Sequence, residues 1–332
     1  MLWWTLEEVR LHVTGHSARY SQVVLELAWN PGPGADASLA ADMLAVGIAK
    51  RAELWAPIGS VVLVAPGPGA HPGVEQAVDT VRELWPAAVV RLVDETVAAL
   101  TGAGLEPEPA ACVVVHQDAV RTSVAVVAGR EVVAGGLATG GTRGLAEAVV
   151  AHLRARHRLD VGQEEAWAAV VHGGTFAPSP TASRPGLVHG TLITEDDVRP
   201  PPSGEVTLSP TELRAVVAPA YPQVADLVGR VLRDAPPGAA RQARAGGLLL
   251  TGPHPPGAED HLTDLTGLPA RRGTETQTGF HRPQVLLDGV TRLLAENPPD
   301  PVLPPRASAR ELLLLLEGLG LPLPRDPDAE DR

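Results

Sequence analysis

The sequence predicts a two-lobed α/β protein, in which two sheets covered by helices enclose a cleft. Apolar runs of strand length alternate with segments of helical periodicity, an order typical of sheets that carry helices on both faces. The order of two or three strands, then helix, strand, helix, strand and helix, occurs twice, around residues 10–105 and 112–296. Because two-lobed folds place ligands between their lobes, we expect a binding site in the cleft.

The first copy begins with strands at 10–13 and 20–28, followed by the breaker-rich segment 30–34. The continuous apolar run at 61–64 is typical of a strand that is buried on both faces. Apolar residues at helical spacing over 74–85 predict an amphipathic helix. The other predicted elements of this copy are a helix at 38–50, a strand at 89–93 and a helix at 94–100.

The second copy follows a Glu/Pro linker at 106–109 and starts with a three-stranded meander, whose second turn is Gly129-Arg130. Helices are predicted after Gly140-Gly141 and after an N-cap at Ser209 or Thr211. The segment 173–208 is rich in Pro and Gly and holds at most a small subdomain. The other predicted elements are strands at 112–115, 122–127, 131–137 and 248–250, and helices at 258–266 and 282–295.

These patterns predict three regions along the chain. Residues 1–107 form the first lobe, which the helix at 282–296 completes, and residues 108–281 form the second lobe with its subdomain at about 173–208. Residues 297–332 form a Pro-rich linker, a leucine-rich helix at 308–316 and a polar tail.

Composition narrows the range of functions. The net charge of −12 argues against a nucleic-acid-binding protein, which needs a basic face for phosphates. Cys112 is the only cysteine, so no disulfide within the chain is possible, and Lys50 is the only lysine. The chain starts without a basic, apolar leader, and its apolar stretches are too short to span a bilayer. We therefore expect a cytoplasmic protein.

Several segments resemble the bacterial actin MreB and its relatives. The string RLVDETVAALTGAGL at 91–105 is similar to the family's acidic pair, helix and Gly-Ala-Gly-Leu before the second lobe. The hairpins at 112–138, the following GGTR string at 140–143 and LLLTG at 248–252 continue in the family's order. The resemblance covers roughly residues 36–296. It implies an actin-like fold of duplicated ribonuclease H-like domains, ATP and Mg²⁺ as cofactors, and partners in the bacterial cytoskeleton or cell-wall machinery.

The departures from the family fall on its nucleotide-binding elements. In the second phosphate loop, the resemblance places His116 at the family's Asp and Asp118 in its glycine triplet, where a carboxylate repels phosphate. The first loop matches near 13–17 and keeps Gly15 but no Asp. The strings that match next are Gly140-Gly141 and the adenosine turn, which keeps Gly252 before Pro253-His254. These changes predict that neither ATP nor Mg²⁺ is bound and that the family's ATPase activity is lost.

Two further features of the first lobe bear on activity and assembly. Asp94 and Glu95 match the acidic pair that positions the hydrolytic water in actin-like proteins, so either is a candidate catalytic base; alternatively, the pair caps the helix that follows. The span between Ala28 and Asp36 is too short for the small outer subdomain that supplies part of the filament contact in the family. Self-association is therefore left open.

Two histidine pairs and two N-terminal tryptophans are further candidate sites. His152 with His157, or His254 with His261, are potential metal ligands, but neither pair has the HExxH spacing, and we expect no metal site. Trp3 and Trp4 either contact the inner face of the cell membrane or cover the first sheet.

The sequence thus predicts a non-catalytic, MreB-like scaffold in cell-shape or cell-wall machinery. Two alternatives stay open. One is an ATP-binding, polymerising MreB-type ATPase, and the other is a sugar-kinase-like or chaperone-like member of the same superfamily.

Overall fold

The computed structural model describes residues 8–16, 21–28, 58–65, 89–104, 111–177, 186–193, 202–273 and 284–296, together with isolated positions between 78 and 86. The predicted helices at 38–50 and 308–316, the linkers, Trp3 and Trp4, and most of the predicted helix at 74–85 lie outside these residues. So does the span in which the outer subdomain of the first lobe was predicted to be missing.

The elements are numbered along the chain. The strands are β1 (Glu8–His16), β2 (Ser21–Ala28), β3 (Ile58–Ala65), β4 (Val89–Asp94), β5 (Cys112–Gln117), β6 (Arg121–Ala128), β7 (Glu131–Thr139), β8 (Leu159–Asp160), β9 (Leu187–Leu192), β10 (Ser203–Thr207), β11 (Leu248–Thr251) and β12 (Ala270–Arg272). The helices are α1 (Glu95–Gly102), α2 (Thr142–His152), α3 (Gln163–His172), α4 (Pro210–Val217), α5 (Tyr221–Asp234), α6 (Pro237–Gly246), α7 (Ala258–Thr266) and α8 (Gln284–Glu296). A π-helical turn, Leu153–His157, continues α2.

The sheet of the second half has the strand order β12-β11-β5-β6-β7. β5, β11 and β12 are parallel, whereas β5, β6 and β7 form an antiparallel meander. Alternate residues of β5 point to opposite faces: Val113 and Val115 join the large core under the helices, and Cys112 and Val114 join a second core on the other face. The apolar run of β5 is thus explained by burial on both faces.

The sheet of the first half has the order β1-β2-β3-β4, with β2, β3 and β4 parallel and β1 antiparallel to β2. The repeated order along the sequence therefore does not give the same strand order, because here the second strand of the hairpin, and not the first, is central. The sequences explain this choice. β2 carries the run Val23-Val24-Leu25, which suits a position inside a sheet, whereas β1 carries Arg10 and His12 and forms the edge.

Helix α1 lies between the two sheets and contacts both. Ala98 and Ala99 pack with β3 and α8, and Val97 and Leu100 pack against the face of β5, β6 and β11. The contact with α8 joins the end of the chain to the first half, as the predicted domain division requires. That division itself stays a prediction.

The segment after Ser209 contains three helices where the sequence analysis placed one. Ser209 is the N-cap of α4, its Oγ accepting a hydrogen bond from the Glu212 N–H at 3.2 Å. Each of α4, α5 and α6 has a proline in its first turn, where a missing N–H costs nothing. Proline therefore starts new helices here and does not mark loops. The segment of the predicted small subdomain contributes β9 and β10, which form a three-stranded sheet with β8 from outside that segment.

Candidate functional site

The N-terminus of α1 brings an acidic side chain into the contact between the sheets. Glu95 is 2% exposed, and its Oε2 accepts a hydrogen bond from Ser123 Oγ at 3.0 Å and one from Arg121 Nη2 at 3.3 Å. His116 Nε2 lies 3.4 Å from Oε1. Burial opposes ionisation, but the charges of Arg121 and His116 outweigh it and hold the pKa of Glu95 below its usual range. Glu95 is therefore a buried carboxylate anchored from three sides.

Asp94, the other half of the acidic pair, caps the helix. Its Oδ1 accepts hydrogen bonds from the backbone N–H groups of Thr96 at 2.7 Å and Val97 at 3.2 Å. These are donors that a helix start leaves unsatisfied. Burial raises the pKa of Asp94. This geometry is that of the capping alternative, in which Oδ1 accepts hydrogen bonds from the first turn of α1.

The loop between β5 and β6 carries an internal anion. Asp118 Oδ1 accepts hydrogen bonds from the N–H groups of Val120 at 2.6 Å and Arg121 at 2.7 Å. Asp118 Oδ2 lies 3.5 Å from Arg121 Nε, so Arg121 links Asp118 to Glu95. Burial and the neighbouring Glu95 raise the pKa of Asp118. Hence a side chain of this protein occupies the Val120 N–H, one of the loop donors that the resemblance assigns to phosphate, together with the next N–H along the chain.

The same loop covers the start of α2. The N–H groups of Gly140 and Gly141 both donate to the Val120 carbonyl, at 3.2 and 3.0 Å. The N–H groups of Thr142 and Arg143 donate to the carbonyls of Asp118 and Ala119, both at 2.9 Å. A Cβ on Gly141 would overlap the Asp118 carbonyl oxygen, so glycine permits this close approach. Helix N-termini are anion sites when such donors are free, and here the loop carbonyls use them.

The turn after β11 packs against the end of β5. Gly252 has φ +80°, and a Cβ there would overlap the Gln117 carbonyl oxygen. The buried His254 ring places Nε2 3.1 Å from the Thr251 carbonyl oxygen, and burial, with the charge of Arg272, lowers the pKa of His254 to about 3. Arg272 in turn donates to the carbonyls of His254 at 3.0 Å and Pro255 at 2.6 Å.

A small cavity lies between the loop and the turn. Its volume is about 10 Å³, which suits one water molecule and not a nucleobase. Its lining includes Gln117, Tyr221 and His254, whose Oε1, hydroxyl and Nδ1 atoms have no hydrogen-bond partner among the described residues. Among the described residues, the N–H groups of Val120 and Arg121 and those at the start of α2 thus donate to the protein's own oxygen atoms.

Gly15 is not brought to this site. It lies in β1 where the pairing runs Thr14 to Gln22 and His16 to Ser21, whereas Asp94 lies beside Ala65 at the other end of the same sheet. The two ends are about 20 Å apart along the strands. The match of 13–17 to a first phosphate loop stays a prediction, and in the described strands Gly15 lies at the other end of the sheet from Asp94.

Of the other sequence-predicted positions, the structure brings together His116, Asp118, Gly140, Gly141 and Gly252 beside Glu95. Three further residues at the site were not predicted from the sequence: Arg121, Ser123 and Thr251, whose hydroxyl lies 3.1 Å from His116 Nδ1. The sequence does contain a pattern that points to the first two. Arg121 and Ser123 are two residues apart at the polar start of β6, so they share one face of the strand.

The two lobes, the helix wedged between them and the site beside that helix define an actin-like protein. The chain belongs to the MreB/Mbl family, because the family model described as MreB/Mbl protein matches residues 29–279. β1 and β2 precede this match, in keeping with their different strand order.

Solved structures share the fold. MreB5 of Spiroplasma citri bound to ADP is 19% identical, with a TM-score of 0.61 over 83% of this chain and 80% of that chain. The AMPPNP-bound form of that protein is 18% identical, with the same TM-score and coverage. The MamK double helical filament is 14% identical, with a TM-score of 0.54 over 80% and 78%. No curated protein matches the chain. Within the described residues, no helix is long and apolar enough to cross a bilayer.

Proposed function

We propose that this chain is a non-catalytic member of the MreB/Mbl family, a cytoskeletal scaffold or filament-associated partner in bacterial cell-shape or cell-wall machinery. Its partners are then proteins of that machinery, and it acts in the cytoplasm. The proposal includes contact with the inner face of the membrane through Trp3 and Trp4. The observation that carries it is the Asp118 carboxylate on the N–H groups of Val120 and Arg121.

The energetic argument concerns what ATP would have to displace. A triphosphate at this loop has to break two charge-assisted hydrogen bonds of Asp118 and four N–H···O=C bonds at the start of α2. It also has to approach the carboxylates of Asp118 and Glu95, which carry like charge. Glu95 touches Arg121 and Ser123 and is 2% exposed, so it offers no base to a water molecule.

Calorimetric titration of the purified full chain with magnesium-ATP tests this proposal. We expect no binding in the micromolar range and no ATP hydrolysis. Micromolar affinity, or hydrolysis that Glu95→Ala abolishes, would contradict the proposal.

A variant tests the proposed cause. Asp118→Ala frees the two loop N–H groups and removes one negative charge, so its affinity for magnesium-ATP should exceed that of the wild type. Asp260→Ala, at an exposed acidic residue of α7, is the control for charge alone and should leave affinity unchanged. Equal affinities of the two variants would show that Asp118 does not block the loop.

The second candidate function is a nucleotide-dependent, polymerising ATPase. The observation that favours it is that the similar MreB5 structures contain ADP and AMPPNP. That function requires the loop between β5 and β6 to release α2 when ATP binds, and the same titration separates the two candidates.

A further inference from the structure

Three side chains with metal-binding atoms meet outside the nucleotide region. His152 Nε2 and His157 Nε2 each lie 2.8 Å from Glu212 Oε1. The three ligand atoms lie within 4.8 Å of one another. The two rings stand edge to face, with centroids 5.7 Å apart, so both nitrogen atoms point to the same carboxylate. Among the described residues this group is separate from Glu95 and Asp118.

The backbone explains why two histidines five residues apart converge. In an α-helix, residues at i and i+5 differ by about 140° around the axis and point to different sides. The π-helical turn Leu153–His157 follows α2 directly, and its wider winding brings His157 back to the face of His152. The turn ends at Arg158, a non-glycine residue with φ +52°. Such π-turns and left-handed residues are uncommon and recur at functional sites.

We propose that His152, His157 and Glu212 form a Zn²⁺ site, against the expectation from sequence that no metal is bound. Two imidazoles and one carboxylate are a set that zinc accepts, with water in the remaining position. The side chains are 25–26% exposed, so the ion and its water have access from solvent. Arg154, in the same π-helical turn, pairs with Asp160 at 2.6 Å, which offsets its repulsion of a cation.

The ligand spacing fits zinc after a small adjustment. In tetrahedral zinc with bonds of about 2.0–2.1 Å, neighbouring ligand atoms are about 3.3 Å apart. Glu212 Oε1 therefore needs to withdraw by roughly half an ångström, and the two Nε2 atoms, which lie within 4.8 Å of each other, need to adopt the same spacing. Each imidazole then carries its proton on Nδ1 and offers Nε2 to the metal. The ion would fasten the first turn of α4 to the end of α2. Its role is thus to hold α4, the helix that follows the small subdomain, to the end of α2.

Direct titration of the chelator-treated full chain with Zn²⁺ tests the site. We expect one equivalent to bind with a dissociation constant in the micromolar range or below, and the melting temperature to rise and return on addition of EDTA. Glu212→Gln and His157→Gln should each weaken binding by at least about tenfold. The matched control is His189→Gln, which removes an exposed imidazole that contacts Glu205 at 3.2 Å without a third ligand; it should bind Zn²⁺ like the wild type.

Co²⁺ in place of Zn²⁺ provides a second readout on the wild type, so the test does not depend on a variant that folds. Visible bands of four- or five-coordinate Co²⁺ without a thiolate charge-transfer band are expected, since Cys112 is the only cysteine and is buried. The proposal is overturned by an absence of stoichiometric binding, by a thiolate band, or by variants at Glu212 and His157 that bind like His189→Gln.

Discussion

At the scale of single residues, the site is organised by Arg121. Its guanidinium reaches Glu95 Oε2 at 3.3 Å and lies beside Asp118, while its backbone N–H donates to Asp118. A guanidinium suits this place because its fork of donors serves two carboxylates at once. Buried ion pairs of this kind add little net stability, but removing one partner leaves a charge in a dry environment.

We expect Glu95→Gln to destabilise the protein by about 3 kcal/mol at neutral pH, because the buried Arg121 guanidinium then loses one of the carboxylates with which it pairs. Because the folded-state pKa of Glu95 lies below its ordinary value of 4.5, this contribution is complete above that pH and is lost as pH falls through the folded-state pKa. Urea unfolding as a function of pH measures both effects.

The control for this prediction is Glu131→Gln, at an exposed position of β7, which should change stability by no more than about 0.5 kcal/mol. A difference between Glu95→Gln and the wild type that stays constant down to about pH 3 would contradict the ion-pair explanation.

His254 gives a second pH-dependent prediction, in which the buried group is a neutral imidazole and not a charged carboxylate. The unfolded chain protonates this imidazole below its ordinary pKa of 6.5, whereas the folded protein does so only near 3. Stability therefore falls as pH decreases across this window, by about 1.4 kcal/mol per pH unit well below 6.5. His254→Leu should remove this slope, and denaturant unfolding between about pH 7 and pH 5 checks it. His189→Gln, at an exposed ring, should keep the slope; if both variants keep it, His254 is not buried in the neutral form.

The residues at the site were predictable in part. The resemblance pointed to Asp94, Glu95, His116 and Asp118, and the capping alternative for Asp94 followed from the position of a carboxylate before a helix. The convergence of Arg121 with Glu95 could not be predicted, because it depends on how α1 docks across a second sheet. His152 and His157 were named as a potential ligand pair but set aside on their spacing, and their convergence on Glu212 was not predicted, since a π-turn changes the helical period on which spacing arguments depend.

At the scale of elements, the close contact of α1 with α8 depends on two glycines. A Cβ on Gly102 would overlap the Val285 carbonyl oxygen, and a Cβ on Gly289 would overlap the Ala98 carbonyl oxygen. The backbones thus approach at these points without side chains between them. Because α1 also carries Glu95 at its first residue, its seat on α8 helps to fix the position of the site.

We expect Gly289→Ala to destabilise the protein by at least about 2 kcal/mol, because the methyl group forces the two helices apart. Gly144→Ala is the matched control: this glycine lies in α2 with no atom within 4 Å of an added Cβ. Its substitution should stabilise the protein by about 0.5–1 kcal/mol through helix propensity alone. Thermal unfolding compares the two variants, and equal effects would show that α1 and α8 are not in close contact.

Strands were predicted well and their arrangement less so. Apolar runs identified β3, β4, β5, β6 and β11, since runs of apolar residues favour strands inside a sheet. The reversed hairpin of β1 and β2 was not predicted, since a hairpin has the same local sequence pattern whichever strand lies inside the sheet. The choice is made by which strand carries fewer charged residues, a comparison between elements.

At the scale of the whole molecule, α1 acts as a shared element of both halves. Its two faces complete two different cores, so relative movement of the sheets would expose Leu100 or Ala98 to water. Burial of such a leucine is worth about 1.5–3 kcal/mol. The family fold was predictable at this scale because the order of segments along the chain, more than any one motif, carries the resemblance.

We expect the purified protein to form no long filaments by itself, with or without magnesium-ATP. The sequence predicts that the span after Ala28 is too short for the outer subdomain and its contact area, and specific interfaces need about 1,000 Å² or more. Sedimentation and electron microscopy are the measurements. Filaments like those of the structurally similar MamK would contradict the prediction and favour the polymerising ATPase.

The Asp118 carboxylate has a consequence for regulation under the proposed function. The carboxylate is an intramolecular ligand of the loop N–H groups. Its effective concentration is set by the length of the β5–β6 loop and does not depend on the concentration of any diffusible ligand in the cell. Such a ligand is neither diluted nor consumed, so the occupancy of the loop is insensitive to the energy charge of the cytoplasm. In such a scaffold, no nucleotide hydrolysis changes the state of a subunit after it has assembled. Its activity is then set by how many copies are made and where they are recruited.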